Sequence, residues 1–361
     1  MAIYDGDGKL ISAGDDQESA SSHTPFLSSA KGKLIRYETD FDVNDFDILH
    51  TFTPFADDYS AESGIYNYAK QTTTQQQFYD LFYNPYIGYH GDLLVTKKNL
   101  GKDQSGLYNI WCYDIIPRNA KKKICISSGM HPYETPASFG LARWIKEYME
   151  SNDGVFAYLR NNLQLSIIPI VNPWGFNQYP KTYPNVNGVN PNRNFDNWTG
   201  AWESYPVYTP EENIWNVKGD APFSEAETKV LCNWIKDNTD AEFYIDCHTG
   251  ALNQAGAIWY YVNSTNANLL KIRNAANILI GRLQSVYGGN PTIQEELNHS
   301  DSIKTQFFDE VVGMPTLVLE QATYTDTVYQ TEPNNCKTAI CEYATNIHAF
   351  VMAQLKDSVS T

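Results

Sequence analysis

Short apolar runs alternate with amphipathic helical patterns along most of this chain. Such alternation predicts an α/β fold, with a mostly parallel or mixed twisted sheet and helices on both faces. Strands are predicted at residues 92–97, 107–116, 123–127, 163–171, 242–248 and 315–320, and helices at 72–82, 136–149, 224–237, 268–287 and 339–355. In a sheet of this kind the functional site lies beyond the carboxyl ends of the strands, so polar residues at those ends are the candidates.

The overall composition excludes several classes of protein. The chain has 361 residues, with 26 Lys and Arg against 42 Asp and Glu and a formal net charge of −16. An acidic protein has no general attraction to nucleic acid or to anionic lipid. No apolar run reaches the roughly 18 residues that a membrane-spanning helix needs. The beginning of the sequence lacks the basic and apolar regions of a secretory signal, which predicts a cytoplasmic or non-classically released protein.

One histidine and one glutamate follow the strand predicted at residues 123–127. His131 and Glu134 lie three residues apart on the loop that comes next, and His248 ends the strand predicted at 242–248. Two imidazoles and a carboxylate form a ligand set for Zn²⁺, and a catalytic zinc keeps its fourth position for water. Taken singly, the His131–Glu134 spacing is also typical of a surface ion pair or helix cap, and His248 of a core histidine.

Two further places carry groups that suit an amide hydrolase. Asn192 and Arg193 are adjacent in a loop rich in Gly, Asn and Pro, and a guanidinium beside an amide suits a substrate carboxylate. Asn side-chain turns are the alternative explanation of that loop. Glu320 ends an apolar strand, where a carboxylate is costly unless it is hydrogen-bonded or acts as a general base. A buried structural glutamate is the alternative there.

Taken together, these motifs resemble those of the zinc carboxypeptidases, the M14 metallopeptidases. The matching pieces occur in the family's order and are Ser128-Gly-Met-His-Pro-Tyr-Glu134, Ile170-Val-Asn-Pro-Trp-Gly-Phe176, Val189-Asn-Pro-Asn-Arg-Asn-Phe195, Asp246-Cys-His248 and Leu317-Val-Leu-Glu320. The resemblance implies that His131, Glu134 and His248 hold zinc. It further implies that Asn192 and Arg193 bind the substrate's terminal carboxylate and that Glu320 is the general base.

The sequence departs from the family pattern at three places. No arginine lies between residues 171 and 192, where the family carries one that stabilises the oxyanion, and Lys181 is the cation in that interval. No tyrosine lies between 288 and 315, and His299 is nearest to the place of the family's mobile-loop tyrosine. Lys181 and His299 are therefore the expected substrate-binding substitutes. Asn190 replaces an aspartate that orients a zinc histidine, and its amide still accepts from an imidazole N–H without adding charge.

The resemblance covers about residues 70–350 and implies three regions. Residues 1–35 are predicted to be a flexible or partner-bound arm, 36–69 a short β-rich lead-in, and 70–361 the zinc carboxypeptidase-like catalytic domain. The expected reaction is zinc-dependent hydrolysis of an amide bond near a free carboxylate, on a peptide or a muropeptide such as a peptidoglycan stem peptide. An N-acyl amino acid deacylase with a related zinc site, and a non-catalytic binding or appendage protein on the same fold, stay open as alternatives.

Overall fold

The computed structural model describes the backbone of residues 2–4, 10–13, 36–38, 73–196, 201–249, 254–262, 267–287, 292–297, 307–322, 340 and 343–351. Strands β1 (Ala2–Tyr4), β2 (Leu10–Ala13) and β3 (Arg36–Glu38) form a small antiparallel sheet in the order β2-β1-β3. The predicted N-terminal arm and lead-in lie mostly outside the described residues. Their boundaries, and that of the domain predicted at 70–361, therefore stay predictions.

A nine-stranded mixed sheet forms the body of the described chain, which confirms the predicted α/β class. Its spatial order is β11-β10-β12-β9-β7-β8-β6-β5-β4. The four central strands β12, β9, β7 and β8 run parallel, and β6, β5 and β4 extend one side antiparallel. The strands are β4 (Gly88–His90), β5 (Leu93–Lys102), β6 (Asn109–Pro117), β7 (Lys122–Ser127), β8 (Leu163–Ile168), β9 (Phe243–His248), β10 (Gln254–Val262), β11 (Thr292–Leu297) and β12 (Thr316–Ala322).

Helices cover both faces of this sheet. They are α1 (Gln75–Phe82), α2 (Thr135–Glu150), α3 (Gly154–Asn162), α4 (Ala226–Lys236), α5 (Leu269–Tyr287) and α6 (residues 343–351). Side chains of β9 alternate between two buried clusters: Phe243 and Ile245 pack with α2 and α5, and Tyr244 packs with α4. The alternating pattern of residues 243–248 in the sequence predicts that neighbouring side chains face opposite sides of the sheet, and the structure confirms it. None of the described helices is long and apolar enough to cross a lipid bilayer.

Two predicted helix starts are wrong. The motif Ser224-Glu-Ala-Glu227 predicts a capping box, yet α4 begins after Glu225 without a side-chain cap. Asn194 explains the difference, because its side-chain carbonyl accepts from the Glu225 N–H (3.0 Å) and its amide donates to Ser224 Oγ (2.9 Å). The Glu227 carboxylate instead accepts from the Gln104 N–H at 3.0 Å. The position of Thr135 directly before Pro136 likewise predicts that Thr135 caps α2, yet Thr135 is the first residue of that helix.

Candidate active site

The predicted site residues follow the carboxyl ends of the central parallel strands. A turn after β7 carries the chain toward His131, and Gly129 in that turn has a φ of +63°. A Cβ atom at Gly129 would lie 3.1 Å from the Ile170 backbone, so the turn requires glycine in both conformation and space. His248 is the last residue of β9, and it pairs in register with Glu320 on the neighbouring β12. Sheet register thus brings together residues that are far apart in sequence.

His131, Glu134 and His248 form one buried group. Their ligand atoms all lie within 4.8 Å of one another. His131 Nδ1 lies 2.9 Å from Glu134 Oε1, and His248 Nδ1 lies 3.1 Å from both His131 Nδ1 and Glu134 Oε2. Glu134 Oε2 also accepts from the Thr249 N–H at 3.0 Å. The three residues that the sequence singled out as metal ligands are therefore brought together.

The Asn190 amide determines which nitrogen of His131 carries the proton. Its Oδ1 lies 2.8 Å from the Asn192 N–H, which only donates, and its Nδ2 lies 2.6 Å from the Trp215 carbonyl, which only accepts. The orientation of the amide is fixed by these two partners. Oδ1 therefore faces His131 Nε2 at 3.0 Å and accepts its hydrogen. Consequently Nδ1 of a neutral His131 is the acceptor and points at Glu134 and His248.

Asp246 plays the corresponding part for His248. Its Oδ2 lies 3.0 Å from His248 Nε2, and a carboxylate only accepts. Nδ1 of a neutral His248 is therefore also an acceptor. Two nitrogen lone pairs and a carboxylate then face one another across about 3 Å. Acceptors so placed require a proton or a metal cation between them, and this set of ligand atoms fits zinc.

The charges around this group are consistent with a cation site. Burial raises the pKa of Glu134, but the neighbouring imidazoles His131 and His248 lower it more, to a net pKa of about 2. Burial lowers the pKa of His248, and the carboxylates of Asp246 and Glu134 raise it, to a net pKa of about 10. In the metal-free chain a proton on His248 thus supplies the missing positive charge. Binding of a metal ion releases that proton.

Glu320 lies beside the metal-ligand group. Its Oε2 atom is shielded from solvent and has no hydrogen-bond partner among the residues that the structure describes. Burial, together with the nearby negative charges of Glu134 and Asp246, raises the pKa of Glu320, and His248 and Arg193 lower it, to a net pKa of about 8. A buried carboxylate oxygen without a partner is costly and is retained where it meets a ligand, a water or a proton.

Arg193 and Asn192 lie on a turn of helix at Pro191–Arg193 in the loop that follows β8. The Arg193 Nε donates to Tyr205 Oη at 3.1 Å and to Asn216 Oδ1 at 3.2 Å, and Nη1 donates to the Asn192 carbonyl at 3.0 Å. The Tyr205 hydroxyl donates to Asn216 Oδ1 at 2.6 Å. The guanidinium is therefore held in one plane, which suits recognition of a planar carboxylate.

Three aromatic rings lie next to His131. The ring of Tyr183 stacks on the imidazole with a centroid distance of 3.8 Å and an interplanar angle of 20°. The rings of Trp215 and Tyr133 pack against Tyr183 at 4.1 and 5.6 Å. Tyr183 Oη also accepts from Asn190 Nδ2 at 3.2 Å. The stack and this hydrogen bond hold the His131–Asn190 pair in place.

Lys181 is not directed to this group by the contacts that the structure shows. Its buried ammonium donates to the carbonyl oxygens of Thr73 and Phe176, both at 2.5 Å, and lies 3.6 Å from the centre of the Phe176 ring. Burial lowers the pKa of Lys181 to about 7. These contacts join the start of α1 to the loop after β8 and do not support the predicted role in substrate binding. His299, the other predicted substitute, lies outside the described residues.

The sequence indicated Asn190 as the amide that accepts from a zinc histidine, which the structure shows for His131. Asp246 was named only as part of a motif, and Tyr183, Tyr205, Trp215 and Asn216 were missed altogether. The alternation along β9 was a usable signal for Asp246, because residues 246 and 248 share one face of the strand. No local pattern links position 193 to positions 205 and 216. Those contacts depend on how a long loop folds back on itself.

Comparison with known proteins gives the same family as the motifs. The model of the Peptidase_M14 family, described as zinc carboxypeptidase, matches residues 96–356. A search of curated proteins found no match. Among solved structures, carboxypeptidase A from Helicoverpa armigera is 16% identical with a TM-score of 0.59, over 92% of this chain and 86% of that one.

Two further structures have the same fold at similarly low identity. Thrombin activatable fibrinolysis inhibitor is 15% identical with a TM-score of 0.64, over 87% of this chain and 83% of its own. A metallo-carboxypeptidase from Burkholderia cenocepacia is 14% identical with a TM-score of 0.55, over 80% of this chain and 71% of its own. At such identities these likenesses show a shared fold, and the chemistry has to be argued from the residues of this chain.

Proposed function

Because the chain belongs to the M14 family of zinc carboxypeptidases, we propose that it hydrolyses the amide bond next to a free carboxylate at the end of its substrate. Its family makes it a zinc metallopeptidase. We propose in addition the roles of its individual residues and the class of its substrate. The observation that carries the proposal is the set of three buried acceptors, His131, Glu134 and His248, beside a Glu320 oxygen that has no partner in the described part of the chain.

His131, Glu134 and His248 would hold the zinc ion. Bound there, zinc polarises the substrate carbonyl and lowers the pKa of a coordinated water toward about 7. Asn190 and Asp246 keep the two imidazoles in the tautomer that offers Nδ1 to the ion. Both orienting side chains act before any substrate arrives, so the geometry of the ligand set does not have to be created during the reaction.

Glu320 acts as the general base and then as the general acid. Its Oε2 removes a proton from the attacking water and returns it to the departing amine nitrogen. Burial, which raises the pKa of Glu320, favours both steps, because a carboxyl group with a pKa near the working pH accepts and gives up a proton with similar ease. The register of β12 and β9 places this group opposite His248.

Arg193 and Asn192 bind the terminal carboxylate of the substrate. A fixed guanidinium offers two parallel N–H bonds to a carboxylate, and the Asn192 amide adds a further donor. Holding that end of the substrate presents one particular amide bond to the water and to Glu320. Peptidoglycan stem peptides are the substrate that we propose on this basis, because they are short, polar and end in free carboxylates.

Replacement of Glu320 tests the assignment. We expect Glu320→Gln to abolish hydrolysis of a panel of N-acylated dipeptides and muropeptides while the protein still binds about one zinc ion per chain. Glu211→Gln, at an exposed glutamate, is the matched control and should leave turnover unchanged. Turnover that survives in Glu320→Gln would contradict the assignment of the base. Cleavage of N-acyl amino acids in preference to every dipeptide would instead favour the deacylase alternative.

A further inference from the structure

The side chain of Tyr343 links the ends of the two strands that carry His248 and Glu320. Tyr343 lies in α6 and is buried in the core cluster to which α2 also contributes. Its hydroxyl oxygen lies 2.9 Å from the carbonyl oxygen of His248 and 2.9 Å from that of Leu319. A carbonyl oxygen only accepts, so the hydroxyl donates its hydrogen between the two. One side chain from a third element therefore holds both strand ends.

The first of these carbonyls belongs to a peptide group that also contacts a proposed metal ligand. The His248 carbonyl and the Thr249 N–H are parts of one trans peptide plane and point in opposite directions. The carbonyl accepts from Tyr343, and the N–H donates to Glu134 Oε2 at 3.0 Å. The orientation of this peptide group is therefore fixed from both sides, by Tyr343 and by Glu134.

The second carbonyl precedes the proposed base. The Leu319 carbonyl belongs to the peptide group that leads into Glu320, so Tyr343 also holds the backbone from which the base extends. Glu320 pairs with His248, the last residue of β9. The ends of paired strands open more readily than their centres, so a donor at the last pair restrains the place where opening would begin.

Helix α2 leaves room for this tyrosine. A Cβ atom at Gly140 would lie 2.5 Å from Tyr343 Cβ and 3.0 Å from the ring atoms Cγ and Cδ1, closer than side chains approach one another. The absence of a side chain at Gly140 thus lets the ring pass against the helix. Since α2 begins directly after Glu134, the same tyrosine contacts the helix behind one proposed metal ligand and the strand ends that carry another ligand and the base.

From these contacts we propose that Tyr343 is a positioning residue for hydrolysis, which sets the distance between the Glu320 carboxylate and the metal-ligand group. The inference rests on the proposed function, in which Glu320 is the general base. It adds that the hydroxyl acts through the backbone, because its partners are two carbonyl oxygens. Proton transfer requires heavy atoms about 2.6–3.2 Å apart, and a displacement of about 1 Å costs about 100-fold in rate. Loss of the link should therefore appear in kcat.

A second buried tyrosine provides a matched control. Tyr148 on α2 is as fully buried as Tyr343, and its hydroxyl donates to the carbonyl oxygens of Leu163 at 2.9 Å and Leu159 at 3.4 Å. Leu163 begins β8, so this link lies at the amino end of the parallel strands, about 17 Å of strand away from the end that carries the site. Removal of either hydroxyl takes away one buried donor, but only one of the two removals occurs near the site.

The first measurement is hydrolysis of the panel of N-acylated dipeptides and muropeptides by the zinc-loaded full chain. Tyr343→Phe keeps the ring and removes the link. We expect kcat to fall by about tenfold or more while KM changes by less than about twofold, because the base is displaced but the carboxylate end of the substrate is bound as before. Tyr148→Phe should lower Tm by a similar amount and leave kcat and KM within about twofold of wild type.

The second measurement does not depend on activity. Hydrogen exchange of the metal-free full chain, followed by mass spectrometry, reports how often each strand end opens. Tyr343→Phe should speed exchange about fivefold in the peptides that cover residues 243–249 and 316–320, which is the factor expected for one lost hydrogen bond. Tyr148→Phe should instead speed exchange in the peptides that cover residues 159–165.

A second variant tests the idea even if Tyr343→Phe fails to fold. Gly140→Ala keeps the hydroxyl but requires Tyr343 to shift, so we expect the same lower kcat and the same faster exchange at the ends of β9 and β12. Gly281→Ala on α5, where an added Cβ meets no atom within 4 Å, is its control and should change neither quantity.

The outcomes separate this inference from the function on which it rests. A wild-type chain that hydrolyses the panel, with kcat in Tyr343→Phe and Gly140→Ala no lower than in their controls, would overturn the positioning role alone. A lower kcat without faster exchange at the two strand ends would also overturn it, because the link would then not hold them. A wild-type chain that hydrolyses no member of the panel would overturn the proposed function and this inference together. A lower kcat with faster exchange, confined to Tyr343→Phe and Gly140→Ala, supports it.

Discussion

The two histidines of the metal-ligand group have the same task but different partners. His248 donates to a carboxylate, Asp246, whereas His131 donates to an amide, Asn190. Both partners fix the tautomer that presents Nδ1 to the ion, but only Asp246 adds a negative charge that makes its imidazole a stronger ligand. Orientation and charge are therefore separate properties of a supporting residue: this chain provides orientation at both histidines and negative charge only at His248.

The amide at position 190 is required by its surroundings. Its Nδ2 faces the Trp215 carbonyl and the Tyr183 hydroxyl, which lie at 2.6 and 3.2 Å. A carboxylate oxygen in that place would meet the carbonyl oxygen of Trp215 without a hydrogen between them. Asp246 has different surroundings, since its Oδ1 lies within 3.5 Å of the hydroxyl oxygens of Ser127 and Tyr244, and a hydroxyl can either donate or accept a hydrogen bond. Charge can therefore be removed at 246 more easily than it can be added at 190.

The largest effect on metal binding is expected from Asp246→Asn. The amide keeps the hydrogen bond to His248 Nε2 but removes the charge, so zinc affinity should fall by about 10–100-fold. Competition with a chromophoric chelator measures the change. Asp240→Asn, at an exposed carboxylate paired with Lys123, removes the same charge at a distance and serves as the control. Equal affinities in the two variants would show that the charge of Asp246 does not contribute.

A second variant gives the partner of His131 a negative charge. Asn190→Asp should lower the free energy of unfolding of the metal-free protein by about 1–3 kcal/mol, because one carboxylate oxygen is left facing the Trp215 carbonyl. Urea unfolding with an unchanged m-value measures this loss. If instead stability is kept and zinc binds more tightly, amide and carboxylate are interchangeable at this position and the distinction drawn between the two histidines is wrong.

The smallest effect is expected from Tyr183→Phe. The ring still stacks on His131, and the Trp215 carbonyl still orients the Asn190 amide, so only one of two acceptors is lost. We expect a loss of about 0.5–1.5 kcal/mol in stability and a change in zinc affinity of less than about threefold. Chelator competition and urea unfolding on the same sample measure both. A larger loss of zinc would indicate that Tyr183, rather than Trp215, holds the amide.

Much of the fold could be predicted because the central strands are buried on both faces. Their apolar runs are continuous, and the predicted strand at 242–248 differs from β9 by one residue. The helix α3 was missed because only three residues separate it from α2. Strand β11 was missed because it lies at an edge of the sheet and carries charged residues, which interrupt the apolar pattern of a strand. One of them, Glu295, is paired with Arg273 on α5.

The site was predictable where its residues belong to a strand end and unpredictable where a loop folds back. His131, Glu134 and His248 were named from their places at or after the ends of strands. The parallel pairing of those strands brings the three side chains together. Lys181 was expected to face the substrate because it is the only cation in its interval, but packing against Phe176 directs its ammonium inward. Sequence shows that a cation is present in a loop but not which way the loop turns it.

One tyrosine of the last described helix connects the two strands that bear His248 and Glu320. The Tyr343 hydroxyl lies 2.9 Å from the carbonyl oxygens of both His248 and Leu319 and places its hydrogen between them. During synthesis this link cannot form before Tyr343 has left the ribosome, which happens after His248 and Glu320 have emerged. A nascent chain that already contains every proposed ligand and the base still lacks the hydrogen-bonded link between their strands, so hydrolytic competence is expected only once the helix that carries Tyr343 has been made.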